Sequence, residues 1–271
     1  MTLYTTPNLN KALSVVDLAE MKRAGEKICC LTAYDASFGA LLDRTGIDLI
    51  LVGDSLGMVV QGQESTVPVS VEDMVYHCRC VTRARKRAFV VADLPFMSYA
   101  TVEMAAQNAA RLLQAGGAQM VKLEGAHIEI IRFLVEQGVP ICGHLGLLPQ
   151  FINQLGGYRV QGKQPQVAEQ MLADAHKVEQ AGASLLVLEC VPATLAARIA
   201  RELTIPVIGI GAGADCDGQV LVLYDILNID VGRKPRFFKN FMTGVGSIEE
   251  AVRQYRHQVK AGMYPAPEHC Y

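Results

Sequence analysis

Hydrophobic positions along the chain fall into short, nearly continuous runs separated by amphipathic stretches. The runs are "ICCLTAYD" (28–35), "DLILVGDS" (48–55), "AFVVADLP" (88–95), "QMVKLEG" (119–125), "PICGHLG" (140–146), "SLLVLEC" (184–190), "PVIGIGAG" (206–213) and "QVLVLYD" (219–225). Continuous apolar runs of this length read as strands buried on both faces, the habit of parallel sheets. Between most of them the period changes to that of a helix. Ser70 with Asp73 forms a capping-box opening to the segment "VEDMVYHCRCVTRARK", Thr101 opens "VEMAAQNAARLLQAGG", and Gly116-Gly117 supplies its stop. Strand alternates with helix throughout, so the pattern predicts an α/β fold, a closed (β/α)8 barrel.

Two segments depart from a regular barrel. Between Gly213 and Gln219 the chain is too short for the usual crossover helix, so the seventh strand must reach the eighth through a tight turn. The segment 147–166, "LLPQFINQLGGYRVQGKQPQ", is long and Gly-rich, as a covering or binding loop would be. We expect one domain over 1–271 with a short N-terminal extension at about 1–25, and a tail, "YPAPEHCY", that is mobile or packs on the barrel.

Nearly every apolar run ends in a polar group. Asp35 closes the first, Asp54 and Ser55 the second, Asp93 the third, Lys122 and Glu124 the fourth, His144 the fifth and Glu189 the sixth. In a barrel those ends converge on one mouth, where the catalytic groups of this architecture sit. Simpler readings compete. Asp35 serves equally well as a helix cap, and His144 as a hydrogen-bonded core histidine. Asp93 is followed at once by Leu94 and Pro95, which makes capping less natural. Lys122, between Val121 and Leu123, would be an unpaired buried charge unless an anion meets it.

Composition narrows the chemistry. Of 271 residues, 51% are hydrophobic and the net charge is -2, so a large core is available and there is no basic stripe for nucleic acid. Eight cysteines without a CxxC pair fit a reduced, cytoplasmic chain, and no run is long enough to span a membrane. Asp54, Asp93 and Glu124 are hard oxygen donors from adjacent strands, suited to Mg²⁺, whereas no thiolate or HxH cluster argues for zinc. With Lys122 beside it, such an ion would receive a small chelating anion such as a 2-oxo acid and acidify its neighbouring C–H. Glu189, on the sixth strand among apolar neighbours, is placed across the barrel as the base.

The stretches "LTAYDASFGALLDRTGIDLILVGDSLGMVVQG", "VVADLPFMSY", "VKLEG", "GHLGLLPQ", "GGYRVQG" and "IPVIGIGAGADCDGQVLV" closely resemble the ketopantoate hydroxymethyltransferase family, in order and over essentially the whole chain. Departures are confined to loops, such as Ala126 after "EG" and Leu148 before Pro149. The resemblance implies a TIM barrel of the phosphoenolpyruvate/pyruvate superfamily and a homodecamer working in pantothenate and coenzyme A synthesis. It implies that Asp54 and Asp93 hold one Mg²⁺ per subunit with Glu124 completing the site. It further implies that Asp54, Ser55, Asp93 and Lys122 bind 3-methyl-2-oxobutanoate, and that Glu189 accepts its C3 proton. The one-carbon donor it implies is 5,10-methylenetetrahydrofolate, a co-substrate. Three alternatives remain. "GIGAGADCDG" could cradle the phosphate of another substrate, although its glycines also suit a tight turn; a carbon–carbon lyase could use the same metal; and a catalytically dead barrel could serve as a scaffold.

Overall fold

The computed structural model describes residues 11–157, 159–229 and 234–271. Its core is a closed barrel of eight parallel strands in sequence order. They are β1 (Ile28–Thr32), β2 (Leu49–Val52), β3 (Phe89–Asp93), β4 (Met120–Glu124), β5 (Ile141–Gly146), β6 (Leu185–Glu189), β7 (Val207–Ile210) and β8 (Gly218–Leu221). Seven lie inside the runs expected from the hydrophobic pattern. β8 starts one residue earlier and stops sooner than expected. The reason is that the Leu223 N–H leaves the ladder to donate to Thr32 Oγ1 at 3.0 Å, and the chain coils into a short helical turn, Leu223–Ile226.

Alternation within the strands sends one set of side chains inward. Leu51, Val91, Lys122, Cys142, Val187 and Val220 are among those around a central space of only about 10 Å³, so the interior is packed rather than hollow. The opposite faces are covered by helices that the caps anticipated: Ser70 forms a complete capping box with Asp73 on Val71–Ala84, and Thr101 caps Val102–Gln114. No helix among the described residues is long and apolar enough to cross a membrane.

The return from β7 to β8 has no helix, as its length required. Gly211 and Gly213 take φ of +59° and +92°, and a Cβ on them would lie 2.7 Å from Phe237 and Ala193 respectively. Backbone conformation and close approach therefore account for glycine at both positions. The flank left without a helix is covered by the C-terminal tail, whose Tyr271 carbonyl accepts from Ala193 N–H at 3.0 Å and whose first residue, Tyr264, is buried. The tail thus packs on the barrel. A cavity of about 630 Å³ remains in this flank, bordered by Gly213, Ala214, Arg236 and Tyr271, away from the buried carboxylates.

The N-terminal extension closes the opposite end. Its helix Val15–Arg23 opens with a Ser14/Asp17 capping box; Leu13 N–H donates to the Arg87 carbonyl before β3, and Lys22 reaches Asp217 Oδ2 at 2.8 Å before β8. Nearby, Asp48 is buried with each oxygen engaged. Oδ1 accepts from Arg87 at 2.9 Å, while Oδ2 meets Cys29 N–H at 3.0 Å and Lys260 at 2.6 Å. Removing Asp48 would leave the buried Arg87 charge uncompensated. Asp48→Ala is expected to lose about 3–5 kcal/mol in chemical denaturation. Glu72→Ala, which breaks the exposed pair with Arg111, is expected to lose no more than about 1 kcal/mol.

Candidate functional site

β2 ends at Gly53, where the chain must pass close to β3. A Cβ there would stand 2.9 Å from Ser55 Oγ and 3.3 Å from Asp93 Oδ2. Its absence lets Asp54 N–H donate to Asp93 Oδ2 at 3.0 Å, locking the ends of β2 and β3 together. Ser55 Oγ is held by the Tyr34 hydroxyl at 2.9 Å. One strand further on, Asp93 is in register with Lys122, and the two form a buried ion pair of 2.6 Å. That answers the demand of a lysine inside a strand. Glu124, two residues along β4, shares its inward face.

β5 continues the series, with His144 in register with Glu124. Its Nδ1 lies 3.6 Å from Glu124 Oε1 and its Nε2 3.4 Å from Glu189 Oε2, distances of charge contact rather than hydrogen bonding. Gly146 brings the neighbouring strand close: its φ is +96°, and a Cβ would fall 2.3 Å from the Glu189 carbonyl, which instead accepts from Leu147 N–H at 2.8 Å. Asp54, Asp93 and Lys122 thus form one set of contacts across the ends of β2 to β4, and Glu124, His144 and Glu189 a second across the ends of β4 to β6. Asp35 is not part of either. Its Oδ1 accepts from Phe38 N–H at 2.9 Å as the cap of helix Ala36–Arg44.

Burial and like charge dominate the electrostatics. The Asp54 carboxyl is pushed well above its ordinary range, first by burial and then by Asp93 and Glu124. Burial disfavours charge on Lys122, but Asp93, Glu124 and Asp54 overcome it and raise the ammonium's pKa, so it stays protonated. Burial likewise opposes charging of His144, and the contacts with Glu124 and Glu189 outweigh it, lifting the imidazole to about 9. The Glu189 side chain is 16% exposed, against 5% or less for Lys122, Asp93, Glu124 and His144. Solvent therefore meets the cluster on the Glu189 side.

Sequence reasoning missed Gln150. It follows Pro149 at the start of the long 147–166 segment, in a short 3-10 turn, Pro149–Phe151, and is buried against the cluster. Its amide nitrogen donates to Asp54 Oδ2 at 2.7 Å and to the Leu94 carbonyl at 2.9 Å, its backbone N–H donates to Glu124 Oε2 at 3.0 Å, and its Oε1 accepts from the Tyr99 hydroxyl at 2.6 Å. A loop glutamine carries no periodic signal. Only the four polar partners reveal it.

Among the described residues, no three His, Cys, Asp or Glu side chains are placed to enclose a metal ion by themselves. The expected ligands Asp54, Asp93 and Glu124 do lie in one cluster, but one oxygen of Asp54 and one of Glu124 are already taken by Gln150. The donor set still suits a hard divalent cation. Its donors are hard carboxyl oxygens, a cation would relieve the mutual repulsion that raises Asp54, and Mg²⁺ commonly uses one or two carboxylates and completes its shell with water or substrate.

A family model described as ketopantoate hydroxymethyltransferase matches residues 12–267. A protein of Alkalilimnicola ehrlichii named 3-methyl-2-oxobutanoate hydroxymethyltransferase is 57% identical over 99% of both chains. One of Nitrosospira multiformis with the same name is 56% identical over 93% of this chain and 97% of its own. Among solved structures, phosphoenolpyruvate phosphomutase from Streptomyces platensis superposes with a TM-score of 0.61 at 13% identity, covering 80% of this chain and 83% of that one. A 2,3-dimethylmalate lyase, a PEP mutase/isocitrate lyase superfamily member, does so at 0.53 and 16%, covering 72% and 70%. At such identities these two show the shared barrel alone.

His144 gives the metal-free protein a pH signature. Its pKa rises from 6.5 to about 9 on folding, so the stability it adds is fully present below about pH 6.5 and is lost as pH rises through about 9. The denaturation midpoint of the metal-free wild type is expected to fall across that window more steeply than that of His144→Gln. Parallel curves would show that His144 does not titrate there.

Proposed function

The chain belongs to the ketopantoate hydroxymethyltransferase family, and on that premise we propose that it adds a hydroxymethyl group to C3 of 3-methyl-2-oxobutanoate, using Mg²⁺ and 5,10-methylenetetrahydrofolate, to give 2-dehydropantoate. The observation that carries the reading is that two sets in contact, Asp54 with Asp93 and Lys122, and Glu124 with His144 and Glu189, lie at one barrel mouth and are joined by Gln150, which bonds both Asp54 and Glu124. Asp54 and Asp93 would hold Mg²⁺ with Glu124 beside them, and the ion would supply polarisation of the 2-oxo group.

The chain's own groups do the rest. Lys122 keeps its charge next to Asp93 and offers it to the substrate's carboxylate. The Ser55 hydroxyl, steadied by Tyr34, donates to the same anion. Glu189, the member of the cluster that solvent reaches, takes the proton from C3, and the electron pair of that bond moves toward the ketone oxygen. His144, positively charged between Glu124 and Glu189, holds the Glu189 carboxyl in place. C3 then bonds to the donor's one-carbon unit as one of that carbon's two C–N bonds breaks, and water displaces the second nitrogen to give the hydroxymethyl product and tetrahydrofolate, whose two nitrogens take up the C3 proton and one from water. The segment 147–166 would exclude bulk water from the carbanionic stage. A decameric assembly in the cytoplasm belongs to the same reading and is checked by sedimentation.

Removing the one-carbon donor isolates the first step. With 3-methyl-2-oxobutanoate and Mg²⁺ in D₂O, the wild type is expected to exchange the C3 proton, followed as loss of its NMR signal. Glu189→Gln keeps the shape but cannot accept the proton, so exchange should fall by about 10²- to 10⁴-fold while the 2-oxo acid still binds. Wild-type exchange in this variant would move the base to another residue, His144 first.

Ligand removal tests the other end. Excess chelator is expected to abolish transfer, and added Mg²⁺ to restore it. Lys122→Met should weaken 2-oxo acid binding more than Mg²⁺ binding in calorimetry, because it removes the anion's partner and leaves the cation's ligands. Equal losses would assign Lys122 to the cation site instead.

A further inference from the structure

Gln150 has four polar contacts, and their chemistry fixes its orientation. The Leu94 carbonyl can only accept, so the atom facing it at 2.9 Å must be the amide nitrogen. The Tyr99 hydroxyl then donates to Oε1 at 2.6 Å, which leaves the amide no freedom to turn over. The same nitrogen is 2.7 Å from Asp54 Oδ2, so that oxygen accepts its second N–H. The other Asp54 oxygen is the one turned away from Gln150. The main-chain N–H treats Glu124 in the same manner, occupying Oε2 at 3.0 Å while Oε1 faces His144.

A glutamate here would face Asp54 with a fourth buried carboxylate, and an apolar residue would leave Asp54 Oδ2 and the Leu94 carbonyl without donors. The neutral amide is thus the group that fits. We propose that Gln150 is a positioning residue, one that holds Asp54 in the rotamer and at the oxygen needed to receive the cation and the 2-oxo acid bound with it, with Tyr99 as the group that fixes Gln150. This rests on the reading that a divalent cation binds at Asp54 and Asp93. Gln150 acts through Asp54 and not on the substrate. Because the Glu124 contact is made by the main chain, a leucine at 150 keeps it, and of the groups that the side chain touches only Asp54 belongs to the expected cation site.

A double-mutant cycle on the purified full chain tests this, reading Mg²⁺ affinity and, separately, 3-methyl-2-oxobutanoate affinity by calorimetry. Gln150→Leu is expected to weaken Mg²⁺ binding by about 10- to 100-fold, the usual effect of losing a group that orients a metal ligand. On an Asp54→Asn background the same substitution should change either affinity by no more than about 2-fold, since the residue it acts through is already altered. Tyr99→Phe should reproduce part of the loss, about 2- to 10-fold, and should have no further effect once Gln150 is leucine. A purely structural role would instead give losses that add across the cycle, and additivity overturns the proposal. So does a folded Gln150→Leu with wild-type affinities. If Gln150→Leu fails to fold, the cycle between Tyr99→Phe and Asp54→Asn decides in its place. Should the wild type take up no millimolar Mg²⁺, the cation reading falls, and the cycle on 2-oxo acid affinity still judges Gln150 alone.

Discussion

The pair between Lys122 and Asp93 is the constraint on which the mouth of the barrel depends. An ammonium in the middle of β4, flanked by Val121 and Leu123 and buried, is tolerable only with a carboxylate in contact, and at 2.6 Å Asp93 is that contact. The register of β3 against β4 places them opposite each other, so a slip of one residue would turn Lys122 toward the covering helices and strand both charges. Asp93 in turn receives Asp54 N–H, which requires Gly53 to lack a side chain. One ion pair therefore dictates how three strand ends meet.

Much of this was readable before any coordinates. Continuous apolar runs separated by capped amphipathic segments specify parallel strands and covering helices, because a strand buried on both faces has no reason to alternate. Polar residues at the ends of those runs had to gather, since parallel strands in one barrel share a single C-terminal end. Asp93 and Lys122 could be singled out because each resisted a bland explanation. Asp35 could not be separated from them: an aspartate after a strand looks the same in sequence whether it caps a helix, as here, or lines a site. The end of β8 was also hidden, because it is set by the Thr32 hydroxyl, distant in sequence.

Gln150 and His144 mark the boundary of what pattern can carry. His144 was visible as a polar strand position, but its place between two carboxylates follows from the pairing of β5 with both neighbours. Gln150 lies in an irregular segment with neither period nor charge to flag it. Its importance is a property of four partners drawn from residues 54, 94, 99 and 124, and no local window contains them. A conformation fixed by long-range satisfaction of polar atoms is the kind of feature that local sequence physics leaves out.

The two ends of the barrel treat buried charge in opposite ways, and the contrast bears on function. At the N-terminal end the carboxylates stand apart and each has its own partners: Asp48 has Arg87, Lys260 and a main-chain N–H, Asp43 the N–H groups of residues 86 to 88, and the half-buried Asp217 has Lys22. Such an arrangement has no use for a further ion, and its work is to close the barrel. At the C-terminal end the carboxylates of Asp54, Asp93, Glu124 and Glu189 face Lys122 and His144, and Asp54 is answered by the neutral amide of Gln150. That answer satisfies hydrogen bonding without neutralising charge. Asp54 is thereby left beside Asp93 and Glu124 with no cation of its own in a place of low dielectric, where its ionised form would interact strongly with a cation that entered. The fold gathers these carboxyls against one another and meets Asp54 with a hydrogen bond, where Asp48 has two cations, and that contrast is what the proposed cation site rests on.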